Sequence, residues 1–187
     1  MAQHTQLNRR AAIKALHPNF VSNPNIRERF KNEASTLAHF QHPNIVALYD
    51  YVETPTGLFL IMEYVEGKPM DDYIRQVSGP IPEDRTARLF VRILDAFDYA
   101  HNRGVIHRDI KPSNIMITPQ EEVKILDFGI AKIIGGVSKN LTNAGTRMGT
   151  VLYMSPEQVK GQEVDRRSDV YSLGVTLFQM LTGRSVY

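Results

Sequence analysis

Apolar residues along this chain recur with two periods, and the changes of period mark out its elements. Ala11-Ala12-Ile13-Lys14-Ala15-Leu16 predicts a short strand with one lysine among apolar neighbours. Ser22-Asn23-Pro24-Asn25 reads as a helix start, with proline near the first helical position. Ile26, Phe30, Ala34 and Leu37 then fall at helical spacing, predicting a helix to about Phe40. Glu33 sits on the edge of that stripe, between Phe30 and Leu37. His42-Pro43-Asn44 breaks the pattern. Ile45-Val46-Ala47-Leu48-Tyr49 and Leu58-Phe59-Leu60-Ile61-Met62 predict two strands around the turn Thr54-Pro55-Thr56-Gly57.

The segment Glu63-Tyr64-Val65-Glu66-Gly67-Lys68-Pro69 mixes polar residues with Gly and Pro. It is the best boundary in the chain and divides it into residues 1–65 and 66–187. Pro82-Glu83-Asp84 opens another helix, whose Leu89, Ile93, Phe97 and Ala100, with Phe90 and Leu94, predict a wide apolar face. Arg103-Gly104 ends it, with a cation in the last turn and a glycine beyond. Two short apolar runs follow, Ile115-Met116-Ile117 and Val123-Lys124-Ile125-Leu126. With the turn-like Pro119-Gln120-Glu121-Glu122 between them they predict a β-hairpin. From Ile133 to Gly149 no period is visible, and a loop of that length tends to be functional. The last helix starts near Ser168-Asp169 and runs to Leu181, apolar almost all round, as expected of a helix in the middle of a core. Six residues follow Leu181, too few to cover such a helix, so the chain is expected to be truncated.

Composition narrows the class. At 187 residues the chain can bury about two-thirds of its surface, enough for a sizeable core. Net charge is +2, which gives no argument for nucleic acid or an acidic membrane as partner. There is no cysteine, which removes disulfides, thiol catalysis and Cys-ligated zinc, and fits the cytoplasm. The first residues have no apolar signal-peptide core, and no apolar run approaches the length of a membrane span.

The densest chemistry lies in His107-Arg108-Asp109-Ile110-Lys111-Pro112-Ser113-Asn114, with a second carboxylate in Asp127-Phe128-Gly129. The predicted hairpin returns the chain to its start, so Asp127 is expected close to Asp109 and Asn114. Two carboxylates and an amide oxygen at one spot make a hard-oxygen site suited to Mg²⁺. Lys111 beside it suits a phosphate. The plainer reading is a polar loop facing water, and it requires this ordered set to be coincidence.

At these residues the chain resembles a eukaryotic-type protein serine/threonine kinase, in the wording of the bacterial members. The motifs keep the family's order over nearly the whole chain. Ile110 stands where the signature has Leu, and Lys111 two residues after Asp109 resembles the Ser/Thr-specific branch. Gly149-Thr150-Val151-Leu152-Tyr153-Met154-Ser155-Pro156-Glu157-Gln158 carries the bacterial resemblance.

The resemblance implies an α+β, two-lobed fold with a small β-rich N-lobe and a mainly helical C-lobe. It implies transfer of the γ-phosphoryl of ATP to protein Ser or Thr. Asp109 would accept or orient the hydroxyl proton, and Lys111 would offset phosphoryl charge. Asn114 and Asp127 would hold Mg²⁺, and Lys14 paired with Glu33 would hold the ATP phosphates. The backbone around Glu63 and Val65 would pair with adenine, with Met62 behind it. Ala12 would form the roof and Met116 the floor. Thr150 would touch Asp109. Thr142 and Thr146 are candidate loop phosphosites, with a second kinase copy as the partner that modifies them. The usual arginine partner of Glu157 is expected beyond the end of the chain, as is any membrane anchor. A Gly-rich phosphate loop, expected before Lys14, does not occur in the chain, and the last C-lobe helices are expected to be missing. The fold is therefore expected to be incomplete at both ends. That departure leaves a second reading open, a non-catalytic binding or regulatory module or an inactive fragment.

Overall fold

The computed structural model describes residues 2–4, 9–16, 23–54, 57–128 and 151–186, with His4 and Glu33 described in their backbone only. Four strands form the first sheet: β1 (Ala2–His4), β2 (Arg9–Ala15), β3 (Leu48–Thr54) and β4 (Gly57–Glu63). They are antiparallel in the order β1-β2-β4-β3. Ala12 pairs with Met62 and Lys14 with Leu60, and cross-strand partners share a face. The helix α1 (Pro24–Ala38) covers this face, burying Ile26, Phe30 and Ala34 against Leu16, Leu58 and Leu60. Asn23 caps α1, its side-chain oxygen accepting from the amides of Asn25 at 3.0 Å and Ile26 at 3.4 Å.

The predicted strand over Ile45–Tyr49 is displaced, since β3 begins only at Leu48. Ile45 instead bridges Ile125 in parallel, the Val46 amide donates to the Ile125 carbonyl at 3.0 Å, and the Ile125 amide donates to the Asn44 carbonyl at 2.8 Å. The backbone of 44–46 is thus satisfied by the far part of the chain, and Ile45 joins the larger of two hydrophobic clusters.

That larger cluster is built around α3 (Glu83–His101), reached through β5 (Lys68–Pro69) and the short α2 (Met70–Tyr73). Leu89, Ile93, Phe97 and Ala100 are buried as the period predicts. Leu94 is not: it stays 45% exposed, because it points a quarter-turn away from the Ile93–Phe97 line. The predicted hairpin is present as β6 (Ile115–Ile117) and β7 (Val123–Ile125), joined to β5 in a second sheet. Glu121 turns the hairpin with φ of +61°.

After α4 (Pro156–Val159), α5 (Arg166–Thr182) packs against α3. Its apolar all-round reading needs correction. Ser168, Asp169, Ser172 and Thr176 lie inside with Leu173, Val175 and Met180, while Val170, Phe178 and Leu181 face outward. The inward polar groups are tolerated where they are bonded: the Ser172 hydroxyl donates to the Tyr153 carbonyl at 2.7 Å, and Asp169 accepts the His107 amide at 2.9 Å.

Candidate active site

The segment from His107 to Asn114 follows α3 and is fixed from three sides. The buried Asp169 carboxylate accepts the backbone amides of His107 and Arg108, each at 2.9 Å. It also accepts from His101 Nε2 at 2.8 Å. The His107 ring is buried between Phe97 and Phe128, with centroids 5.7 and 4.8 Å away. Its Nδ1 accepts the Asp109 amide at 3.3 Å, so Nε2 carries the proton and donates to the Leu126 carbonyl at 2.8 Å. Arg108 is held left-handed at φ +68°, and its carbonyl accepts from Gln158 Nε2 at 2.7 Å. An arginine in that conformation costs about 1–2 kcal/mol, which the bonds on either side of it offset.

Gln158 reaches Arg108 because the start of α4 holds it. Ser155 and Gln158 form a capping box, with the Ser155 amide donating to Gln158 Oε1 at 3.0 Å. Glu157 beside it accepts the Ser168 hydroxyl, which is the main reason its carboxyl lies below the usual range.

Asp109 emerges from this frame half-buried. Lys111 Nζ lies 2.8 and 3.1 Å from its two carboxylate oxygens. Asn114 Nδ2 donates to the Asp109 carboxylate at 3.1 Å and to its carbonyl at 2.8 Å. A 3-10 turn over Pro112–Asn114 makes this possible by folding the amide back over Asp109. The hairpin then returns as expected. The Leu126 amide donates to the Asn114 carbonyl at 2.9 Å, which brings Asp127, left-handed at φ +62°, next to the same turn.

Asp127 is paired with Lys14, 2.6 Å from Nζ to Oδ2. The expected partner of Lys14, Glu33, lies on α1 with its side chain outside the described residues. Lys14 and Asp127 are 35% and 27% exposed, and so open a pair is worth at most about 1 kcal/mol, so a ligand can recruit either charge cheaply. The donor set fits a hard divalent cation. Asn114 directs its nitrogen at Asp109, which turns its amide oxygen the other way, and Asp127 supplies a carboxylate.

The residues expected around adenine fall on either side of the link 64–67. Ala12 and Met62 pair above it across β2 and β4, and Met116 pairs with Pro69 below it across β5 and β6. Val65 lies half-buried within the link. Thr142, Thr146 and Thr150 lie outside the described residues.

Three site residues were not read from sequence. Asp169 was seen only as a helix start; a carboxylate entering an apolar helix is the signal that it has buried donors to meet. Gln158 completes a Ser-x-x-Gln capping pattern that a search for helix starts would find. Lys124, in a strand of apolar neighbours, forms a half-buried ion pair with Glu63, 2.7 Å from Nζ to Oε1. Nothing local to Lys124 announces that partner.

A family model described as the protein kinase domain matches residues 1–187. The chain is 40% identical over 187 residues to a probable serine/threonine-protein kinase of Streptomyces coelicolor, covering 98% of this chain and 28% of that protein. It is 41% identical over 187 residues to the serine/threonine-protein kinase PknB of Mycobacterium tuberculosis, covering 98% of this chain and 30% of that protein. To the probable serine/threonine-protein kinase PknB of Bifidobacterium longum it is 39% identical over 193 residues, covering 98% and 28% respectively. The chain thus spans about three-tenths of the length of these curated relatives.

Proposed function

The chain belongs to the protein kinase domain family, and from that premise we propose that it moves the γ-phosphoryl of ATP to serine or threonine hydroxyls of proteins. The observation that carries this reading is Asp109. Its carboxylate is oriented by Lys111 and Asn114 and stands beside the turn to which Asp127 returns. In the proposed reaction the substrate hydroxyl oxygen bonds to the γ-phosphorus as the bond to the β,γ-bridging oxygen breaks. ADP leaves with that electron pair, and Asp109 receives the hydroxyl proton. Lys111 faces the charge on the transferring group. Lys14 holds the phosphates of ATP, with Glu33 as its supporting partner. The hinge backbone at Glu63 and Val65 meets adenine between Ala12 and Met116, with Met62 behind, in the cleft between residues 1–65 and 66–187. Such transfer needs positioning and electrostatics more than covalent chemistry, so this small constellation suffices. Asn114 and Asp127 would hold Mg²⁺, which supplies charge neutralisation on the phosphates. ATP as donor sets the reaction in the cytoplasm. Among the described residues no helix is long and apolar enough to cross a membrane.

The direct test is incubation with ATP labelled at the γ-phosphate and a protein substrate rich in Ser, Thr and Tyr. Label on phosphoserine or phosphothreonine is expected; label on tyrosine alone, or none, would overturn the reading. The same reaction maps the loop. The Nε of Arg108 is buried and has no hydrogen-bond partner among the described residues. A phosphothreonine would bring about −1.5 to −2 charge to such an arginine. Modification at Thr142 or Thr146 by a second copy of the kinase is expected in the mass spectrum, while Thr150 stays a substrate-loop contact.

The metal assignment has its own measurement. Asp127→Ala removes the only anionic oxygen ligand proposed, so titrations of ATP with and without Mg²⁺ should become superimposable. An undiminished response to Mg²⁺ in the variant would move the metal elsewhere.

A further inference from the structure

Lys124 and Glu63 belong to neither the catalytic segment nor the metal ligands, yet they form the best-enclosed Lys–carboxylate pair among the described residues, with side chains 17% and 22% exposed. Lys124 Nζ lies 2.7 Å from Glu63 Oε1 and 3.0 Å from Oε2. Glu63 is the last residue of β4, where the link to the second sheet begins. Its Oε2 also accepts the Ala47 amide at 3.2 Å, and its own amide donates to the Ala47 carbonyl at 2.9 Å. The stretch just before Ala47 is bonded to β7 through Val46 and Ile125, and Asn44 Nδ2 donates to the Val123 carbonyl at 2.8 Å. The ion pair closes a ring of bonds that runs from the hinge, through 44–47, to β7 and back.

Register gives the ring its meaning. Lys124 is the cross-strand partner of Met116, so the two side chains stand side by side on one face of the hairpin. A lysine beside the proposed floor of the purine slot is therefore tied to the first hinge residue. We propose that Lys124 and Glu63 are positioning residues that set the distance between the hinge backbone and the Met116 floor, and so the width of the slot for a purine nucleoside. This inference rests on the kinase reading above. The pair acts on the base and not on the phosphates, because its charges are engaged with each other at the adenine end of the cleft. Lys14, 2.6 Å from Asp127, serves the other end.

The test separates base from phosphate. Adenosine and ATP with Mg²⁺ are titrated calorimetrically into the wild-type chain, Lys124→Met, Lys124→Arg and Glu63→Gln. Lys124→Met should weaken both ligands by the same factor, about tenfold, the ordinary scale for disturbing one coupled contact. Its kcat at saturating ATP should stay within about threefold, so that the loss falls on KM. Lys124→Arg should bind within about twofold of wild type, and Glu63→Gln, which keeps an acceptor for the Ala47 amide and loses only the charge, should weaken both ligands as Lys124→Met does. Wild-type adenosine affinity in folded Lys124→Met would overturn the inference. So would a loss confined to ATP, which would put Lys124 on the phosphates. If Lys124→Met does not fold, Glu63→Gln still decides, since wild-type adenosine affinity in that variant would exclude a role for the ion pair. A folded wild-type chain that binds neither ligand would overturn the kinase reading itself, and this inference with it.

Discussion

Asp109→Asn is expected to slow phosphoryl transfer about 10²- to 10⁴-fold, or roughly 3–5 kcal/mol in the barrier, while ATP affinity barely moves. Asparagine keeps the shape and one acceptor oxygen, so the 3-10 turn and the Asn114 contact at 3.1 Å have a counterpart in the variant. What it cannot do is take a proton. It also removes the counter-charge 2.8 Å from Lys111 Nζ, leaving that lysine beside a neutral amide. Both losses bear on the transition state, where the hydroxyl proton departs and charge shifts on the phosphoryl group, and neither bears on the adenine end. Steady-state turnover with a Ser/Thr peptide, set beside calorimetric ATP binding, separates the two. Turnover within a few-fold of wild type would remove Asp109 from the role of base.

Asp169→Ala is expected to destabilise the fold by about 3–5 kcal/mol, because it takes the acceptor away from the His101 ring N–H at 2.8 Å. Two backbone amides, at His107 and Arg108, lose their acceptor in the same step. Each buried donor left unmet costs about 1–3 kcal/mol, against a total stability of only about 5–15 kcal/mol for an ordinary domain. Urea unfolding followed by circular dichroism measures it. Asp169→Asn, which keeps one acceptor oxygen, should fall between alanine and wild type. Because the lost bonds orient the segment leading into Asp109, turnover in Asp169→Asn should fall further than its stability alone explains. A stability for Asp169→Ala within about 1 kcal/mol of wild type would show that the segment from His107 to Asn114 is held by other means.

Much of the architecture is legible from local spacing. The period of α1 and α3, the Asn23-Pro24 start and the turn between β6 and β7 are short-range features, and the structure has all of them. The approach of Asp127 to Asn114 follows from the same hairpin, since two paired strands must return the chain to its beginning. Errors occur where a segment finds its partner far along the chain. Ile45 and Val46 are apolar enough for a strand, but their backbone partner is Ile125, so β3 starts later. Leu94 is as apolar as Ile93, and only the direction from which neighbours pack leaves it outside.

By itself the sequence determined the chemistry available and where along the chain it lies: the Asp109–Asn114 segment, Asp127 on the return of a hairpin, and a lysine in an early strand. Tertiary structure alone decided the long-range partners. Lys14 meets Asp127, Lys124 meets Glu63, and Asp169 reaches across 61 and 62 residues to the amides of Arg108 and His107. The reason is physical. Helix and strand periods repeat within a few residues and can be read there, whereas a buried charge is satisfied by whichever opposite charge or amide the packed layers bring within about 3 Å. That choice belongs to the assembled core, where an unmet partner is costly enough to exclude other arrangements.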